Sequence, residues 1–238
     1  MNLKRYYTAF NRYKRSKGFG IHSPFAFSFV LQVLRERCPY YAYDDISSRR
    51  KLALSLAADV ARHPRIISLK NAKMLFRIVC YFNPRVMLQI GTSYGVSTTA
   101  MLDVDSRSRL IIYTGDNPHR DIYDKVTADY KERIREAATA DEAISHYRAV
   151  SQGDGVRFMV VNSVDSDMTR ESVLRYAGEV LDGEGVVAMR NLSRDERMAT
   201  LFNELDSSLT HGMTFTNGRI AVIVGYRHLP RQSFSLWF

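Results

Sequence analysis

The sequence predicts an α/β fold: a doubly wound, mostly parallel sheet of seven strands, closed by an antiparallel C-terminal hairpin and preceded by a helical region. Three observations carry this. From residue 84 onward, short apolar runs alternate with amphipathic segments, the pattern of a parallel sheet with helices on both faces. The run Val86-Met87-Leu88-Gln89-Ile90 leads into Gly91-Thr92-Ser93-Tyr94-Gly95 and then into small polar residues suited to opening a helix. Near the C-terminus, two apolar runs are separated only by Asn217-Gly218, a tight-hairpin signature.

Composition narrows the class. A chain of 238 residues is long enough to bury a sizeable core, and 45% hydrophobic with 25% charged residues is ordinary for a globular protein. No apolar run approaches the roughly 18 residues that span a bilayer, so no membrane association is expected. The basic N-terminus is not followed by an apolar signal core, which predicts a cytoplasmic protein. Cys38 and Cys80 are too few for a disulfide framework and are expected as reduced core residues; no Cys/His spacing suggests a metal.

The first domain spans residues 1–83 and reads as helical; the second spans 84–238. Residues 1–17 carry Lys4, Arg5, Arg12, Lys14, Arg15 and Lys17 with no acid, interleaved with Tyr6, Tyr7, Phe10 and Tyr13. With a net charge of +9, this makes an anionic partner or nucleic acid one candidate, against a helix that packs its aromatics and solvates its charges. Ser23 and Pro24 open a helix carrying Phe25, Phe29, Val33 and Leu34 and ended by Pro39. A second begins at Asp44 or Asp45 with Ile46, Leu52, Leu56 and Val60 inward. A third covers about 68–82, with Ser68 as cap. Strands are expected near 86–90, 109–114, 144–149, 157–161, 185–189, 213–216 and 219–226. Helices are expected near 96–104, 118–137, 168–181 and 194–210. In the helix 118–137, Ile122, Val126, Tyr130 and Ile134 recur every fourth residue. The terminal Phe234 to Phe238 is expected as a packed strand.

Function concentrates at the glycine loop. Gly91 and Gly95 let a ligand approach the main chain, and the helix start offers free N–H groups. In doubly wound sheets of the Rossmann-like kind, this strand-to-helix crevice receives nucleotide-like small molecules.

Several stretches carry a resemblance. Gly20-Ile21-His22-Ser23-Pro24-Phe25, Tyr40-Tyr41-Ala42-Tyr43-Asp44-Asp45-Ile46, Leu88-Gln89-Ile90-Gly91-Thr92-Ser93-Tyr94-Gly95-Val96-Ser97 and Arg231-Gln232-Ser233-Phe234 span nearly the whole chain. Together they resemble a group of bacterial class I methyltransferase-like proteins that use S-adenosylmethionine, with their GIHSPF, YYxYxxI, LELGTSLGIS and KQHF-like motifs. The resemblance implies the class I methyltransferase fold and S-adenosylmethionine as cofactor. It implies a cofactor site at Gln89, Gly91, Thr92, Ser93, Gly95, Ser97, Thr114, Asp116, Asn162 and Asn191.

Against that pattern, the carboxylates are missing. The family's acid before the glycine loop is Gln89 here. Its ribose-binding acid at the end of strand two is Thr114, with Asp116 two residues on. Its acid ending strand four is Asn162, and its DDIHWS-like acids after strand five are replaced at Arg190-Asn191-Leu192-Ser193. A sulfonium and an ammonium need anionic partners when buried. Arg190 therefore inverts the expected charge, and no catalytic residue is assigned; His146 and His211 sit in no catalytic constellation. Three readings follow: a divergent protein with weak or lost methyl transfer and a binding or regulatory role, an active enzyme with a rewired pocket using Asp116, and an anion or nucleic-acid binder using residues 1–17. The joint loss of acids favours the first.

Overall fold

The computed structural model describes residues 12–238 apart from 152 and 154, so the stretch 1–11 of the basic segment lies outside the described residues. Helix α1 (Pro24–Phe29) starts as expected: the Ser23 hydroxyl accepts the Ala26 N–H at 3.3 Å, with Pro24 in the first turn. The chain continues as a π-helical turn, Val30–Leu34, and leaves it at Arg35. Buried Arg77 stops it there, donating to the carbonyls of Val33 (2.6 Å) and Leu34 (3.4 Å).

Helix α2 (Ala42–Ala58) buries Tyr43, Ile46, Ala53 and Ala57. Leu52 and Val60, expected inward, are 37% and 64% exposed. The inward stripe is the alanine-bearing one, whose small side chains let the neighbouring helices approach closely. Helix α3 (Leu69–Phe82) is capped by Ser68 and ends at Asn83, whose left-handed φ of 46° turns the chain into the sheet.

The strands are β1 (Val86–Ile90), β2 (Arg109–Tyr113), β3 (Ile134–Ala137), β4 (Phe158–Val161), β5 (Val186–Met189), β6 (Met213–Thr216), β7 (Ala221–Val224) and β8 (Gln232–Ser235). They form one sheet in the order β3-β2-β1-β4-β5-β7-β6-β8. β1 to β5 are mutually parallel, β7 is antiparallel to both β5 and β6, and β8 runs parallel to β6. The expected hairpin is present, but four residues rather than two join its strands: the Asn217 N–H donates to the Ile220 carbonyl at 3.1 Å, and Gly218 turns at φ 82°. The sheet has eight strands rather than seven: the C-terminal strand, expected over Phe234 to Phe238, forms at Gln232–Ser235 and adds an edge whose Phe234 stacks on Phe215 at 5.2 Å. Helices α4 (Val96–Leu102), α5 (Arg120–Val126), α6 (Ala140–Val150), α7 (Asp167–Asp182) and α8 (Glu196–Ser208) complete the chain. One apolar core joins α1, α3 and the C-terminal segment to one sheet face; a second lies under α6, α7 and α8.

The third βα unit differs from expectation. Residues 144–149 lie within α6, not a strand. The Thr139 hydroxyl accepts the Glu142 N–H at 3.1 Å, and Glu142 accepts the Ala138 N–H at 2.8 Å. The Thr-x-x-Glu spacing, whose glutamate here reaches one residue past the Thr139 cap, was the readable signal. The expected helix 118–137 breaks into α5, a 3-10 segment Ala128–Arg133 and β3. Ile134 continues the fourth-residue repeat but pairs with Leu110, because β2 needs a parallel partner on its open edge. Cys38 and Cys80 are exposed rather than in the core. No helix among the described residues is long and apolar enough to cross a membrane.

Candidate functional site

The site lies at the carboxyl ends of β1, β4 and β5, where the strand order reverses direction. Gly91 ends β1 with φ 74°, and a Cβ there would stand 2.2 Å from the Ser163 Oγ and 2.6 Å from the Ser163 carbonyl. Only glycine lets the β1 and β4 loops touch in this way. Gly95, at φ 79°, performs the turn into α4 against Thr127 and Tyr123.

A cleft of about 490 Å³ opens beside this loop. Of the expected site residues, Thr92, Ser93, Gly95, Ser97, Asn162 and Asn191 line it. Thr114 and Asp116 stand outside, at the end of β2; Asp116 is exposed. Gln89 is fully buried and serves the interior: it accepts the Thr98 hydroxyl at 3.1 Å and donates to the Gly91 carbonyl at 3.1 Å. An amide suits that position because it offers a donor and an acceptor without charge.

Asn162 is 4% exposed and has the same bracing geometry. Its Nδ2 donates to the Gly91 carbonyl at 2.9 Å, and its Oδ1 accepts Arg190 Nη1 at 2.9 Å. Asn191, in the left-handed region at φ 62°, donates to the Asn162 carbonyl at 2.9 Å. Arg190 makes no ion pair with a carboxylate among the described residues, and burial pushes its guanidinium down to about 10. It remains charged at neutral pH.

Sequence reasoning missed Arg65, Arg194 and Ser163, which also line the cleft. Arg65 comes from the connection between α2 and α3, so the helical region forms one wall. Nothing in its local sequence marks it. The cleft's acids are Asp195 and Glu196; Asp195 caps α8 by accepting the Met198 N–H at 3.3 Å. The cleft is thus lined by three arginines and two carboxylates, one of them occupied as a cap. On the other side of β1, the Tyr113 hydroxyl donates to Asp165 at 2.5 Å, tying the end of β2 to the β4 loop across the end of β1. That bond raises the Tyr113 phenol to about 12. Among the described residues, no group of three or more His, Cys, Asp or Glu is placed to hold a metal ion.

The strand order, the Gly91–Gly95 loop and the reversed β7 define the class I methyltransferase fold. Solved structures agree. A candidate caffeoyl-CoA O-methyltransferase from Staphylococcus aureus is similar at 12% identity and TM-score 0.56, over 77% of this chain and 97% of its own. An O-methyltransferase from Bacillus cereus, in complex with S-adenosylhomocysteine, is similar at 18% identity and TM-score 0.54, over 82% of this chain and 96% of its own. A methyltransferase from Geobacter sulfurreducens is similar at 13% identity and TM-score 0.53, over 84% and 97%. At these identities the likeness is one of fold. No protein-family model and no curated protein sequence matches the chain.

Proposed function

We propose that this chain is a divergent methyltransferase-fold protein whose cofactor cleft has changed sign. It serves as a small-molecule-binding, regulatory module with weak or lost S-adenosylmethionine-dependent transfer. The observation that carries the reading is the Gly91–Asn162–Arg190 chain of hydrogen bonds, which puts an uncompensated guanidinium where the resembled family has carboxylates.

The residues fit S-adenosylmethionine in part. The Thr92 hydroxyl is buried without a partner, and Ser93, Ser97 and Asn191 surround the same space, so the polar amino-acid end of such a ligand meets ready donors. The sulfonium fits less well. Arg190, which has no ion-pair partner among the described residues, repels it, against the attraction of Asp195 and Glu196 on the same lining. S-adenosylhomocysteine has the same polar groups and lacks the sulfonium charge, so it suits this cleft better.

Titration calorimetry with both compounds tests this. The expected result is tighter binding of S-adenosylhomocysteine than of S-adenosylmethionine. Micromolar binding of S-adenosylmethionine, equal to or tighter than that of S-adenosylhomocysteine, overturns the reading.

A further inference from the structure

A second cavity, of about 640 Å³, lies away from the glycine loop, between the π-helical turn, α3 and the C-terminal residues. Five cations line it: Arg35, Arg37, Lys70, Lys73 and Arg77. None forms an ion pair with a carboxylate among the described residues. The cavity's one acid, Glu36, is turned into its own loop, where it accepts the Arg37 and Cys38 N–H groups at 2.5 and 2.7 Å. Those bonds hold its carboxyl below the ordinary range.

Arg77 forms the floor. It is 8% exposed, and besides the two carbonyls it caps, it donates to the Tyr43 hydroxyl at 2.9 Å. Its neighbours therefore satisfy its hydrogen bonds in part, while no carboxylate among the described residues lies within ion-pair distance of it. Lys73 stands over the Tyr43 ring, 4.4 Å from its centroid.

The walls are aromatic. Trp237 is 60% exposed and Tyr13 44% exposed, and both line this space; Lys17 stands over the Tyr13 ring, 4.6 Å from its centroid, which leaves Trp237 as the stacking surface. The Trp237 backbone is fixed: its N–H donates to the Ser16 hydroxyl at 2.6 Å, and the preceding Leu236 carbonyl accepts Arg12 at 3.1 Å. An exposed indole on a fixed backbone beside clustered cations is the arrangement that stacks a base while neutralising phosphate. The volume is that of a small-molecule pocket.

We propose that this cavity binds a nucleotide, its base on Trp237 and its phosphates at Arg37, Lys70 and Lys73. The source is either a free nucleotide or one residue of a single strand. The proposal is independent of the glycine-loop cleft.

The sequence holds one tryptophan, so its emission reports on this cavity alone. Emission is followed at low ionic strength while the full chain is titrated with ATP, with inorganic tripolyphosphate and with a single-stranded oligonucleotide. ATP is expected to quench Trp237 and to bind at least tenfold more tightly than tripolyphosphate, because stacking adds to the phosphate contacts. The double variant Lys70→Ala/Lys73→Ala, changed at the rim, is expected to weaken ATP at least tenfold. Tighter binding of the oligonucleotide than of ATP identifies a strand as the source; the reverse identifies the free nucleotide. No quenching by millimolar ATP or by the oligonucleotide overturns the proposal. So does equal binding of ATP and tripolyphosphate, or an unchanged affinity in the double variant.

Discussion

Replacing Arg190 with methionine separates the charge of the cleft from its shape. A cleft of 490 Å³ is about 8 Å across, and at that separation two unit charges in an effective dielectric near 20 interact by about 2 kcal/mol. S-adenosylmethionine and S-adenosylhomocysteine differ by one such charge. Arg190→Met is therefore expected to lower the ratio of their dissociation constants by roughly 30-fold in favour of S-adenosylmethionine. The fold should tolerate the change. Burial disfavours the charged guanidinium, and the variant removes that cost. In exchange, Asn162 Oδ1 loses its donor at a cost of about 1–3 kcal/mol. The two effects oppose each other. The assay is paired calorimetric titration of wild type and variant, with urea unfolding as the control. A ratio unchanged within threefold in a folded variant refutes the argument that Arg190 sets the sign of the cleft.

Three other outcomes are expected. Gly91→Ala places a Cβ 2.6 Å from a backbone carbonyl at φ 74°; it should destabilise by roughly 3 kcal/mol or more in urea unfolding, and a loss under 1 kcal/mol would contradict the tight β1–β4 contact. Asp103 is pushed up to about 6 by burial, although Tyr130 donates to it at 2.5 Å. Because its folded value exceeds its unfolded one, the proton is held more tightly in the folded state, and stability should fall as pH rises from about 4 to about 6. Asp103→Asn should flatten that decline and gain about 2 kcal/mol at neutral pH; an unaltered pH profile counts against it. Asp116→Ala should leave S-adenosylhomocysteine affinity within twofold, since Asp116 stands outside the cleft; abolished binding would instead support ribose recognition by Asp116 and the rewired-enzyme reading.

Much of the fold was legible because its signals are local. The caps at Ser23 and Ser68 close hydrogen bonds within three residues, and the turn carrying Asn217-Gly218 reverses the chain over the four residues 217–220. The β1 run and its glycine loop were readable for the same reason. Misreadings arose where a local pattern had two solutions. Ile134 fits a helical repeat and a strand equally, and the open edge of β2 decides between them. The C-terminal Phe234 was readable as a strand residue, but its partner β6 was not.

The sequence by itself determined the α/β alternation, the place of the glycine loop and the replacement of the resembled family's acids at Gln89, Thr114, Asn162 and Arg190-Asn191. Only the tertiary structure decided what the replacements do. Gln89 is an interior brace, whereas Asn162 holds Arg190 against the cleft, and both brace the same Gly91 carbonyl. Arg65 joins the cleft from a helical connection far earlier in the chain, and Arg77 carries its charge to the floor of a cavity walled by Trp237. The physical reason is range. Hydrophobic period and capping are settled among near neighbours, while the partner of a charge is settled by whatever the fold brings within a few ångströms of it.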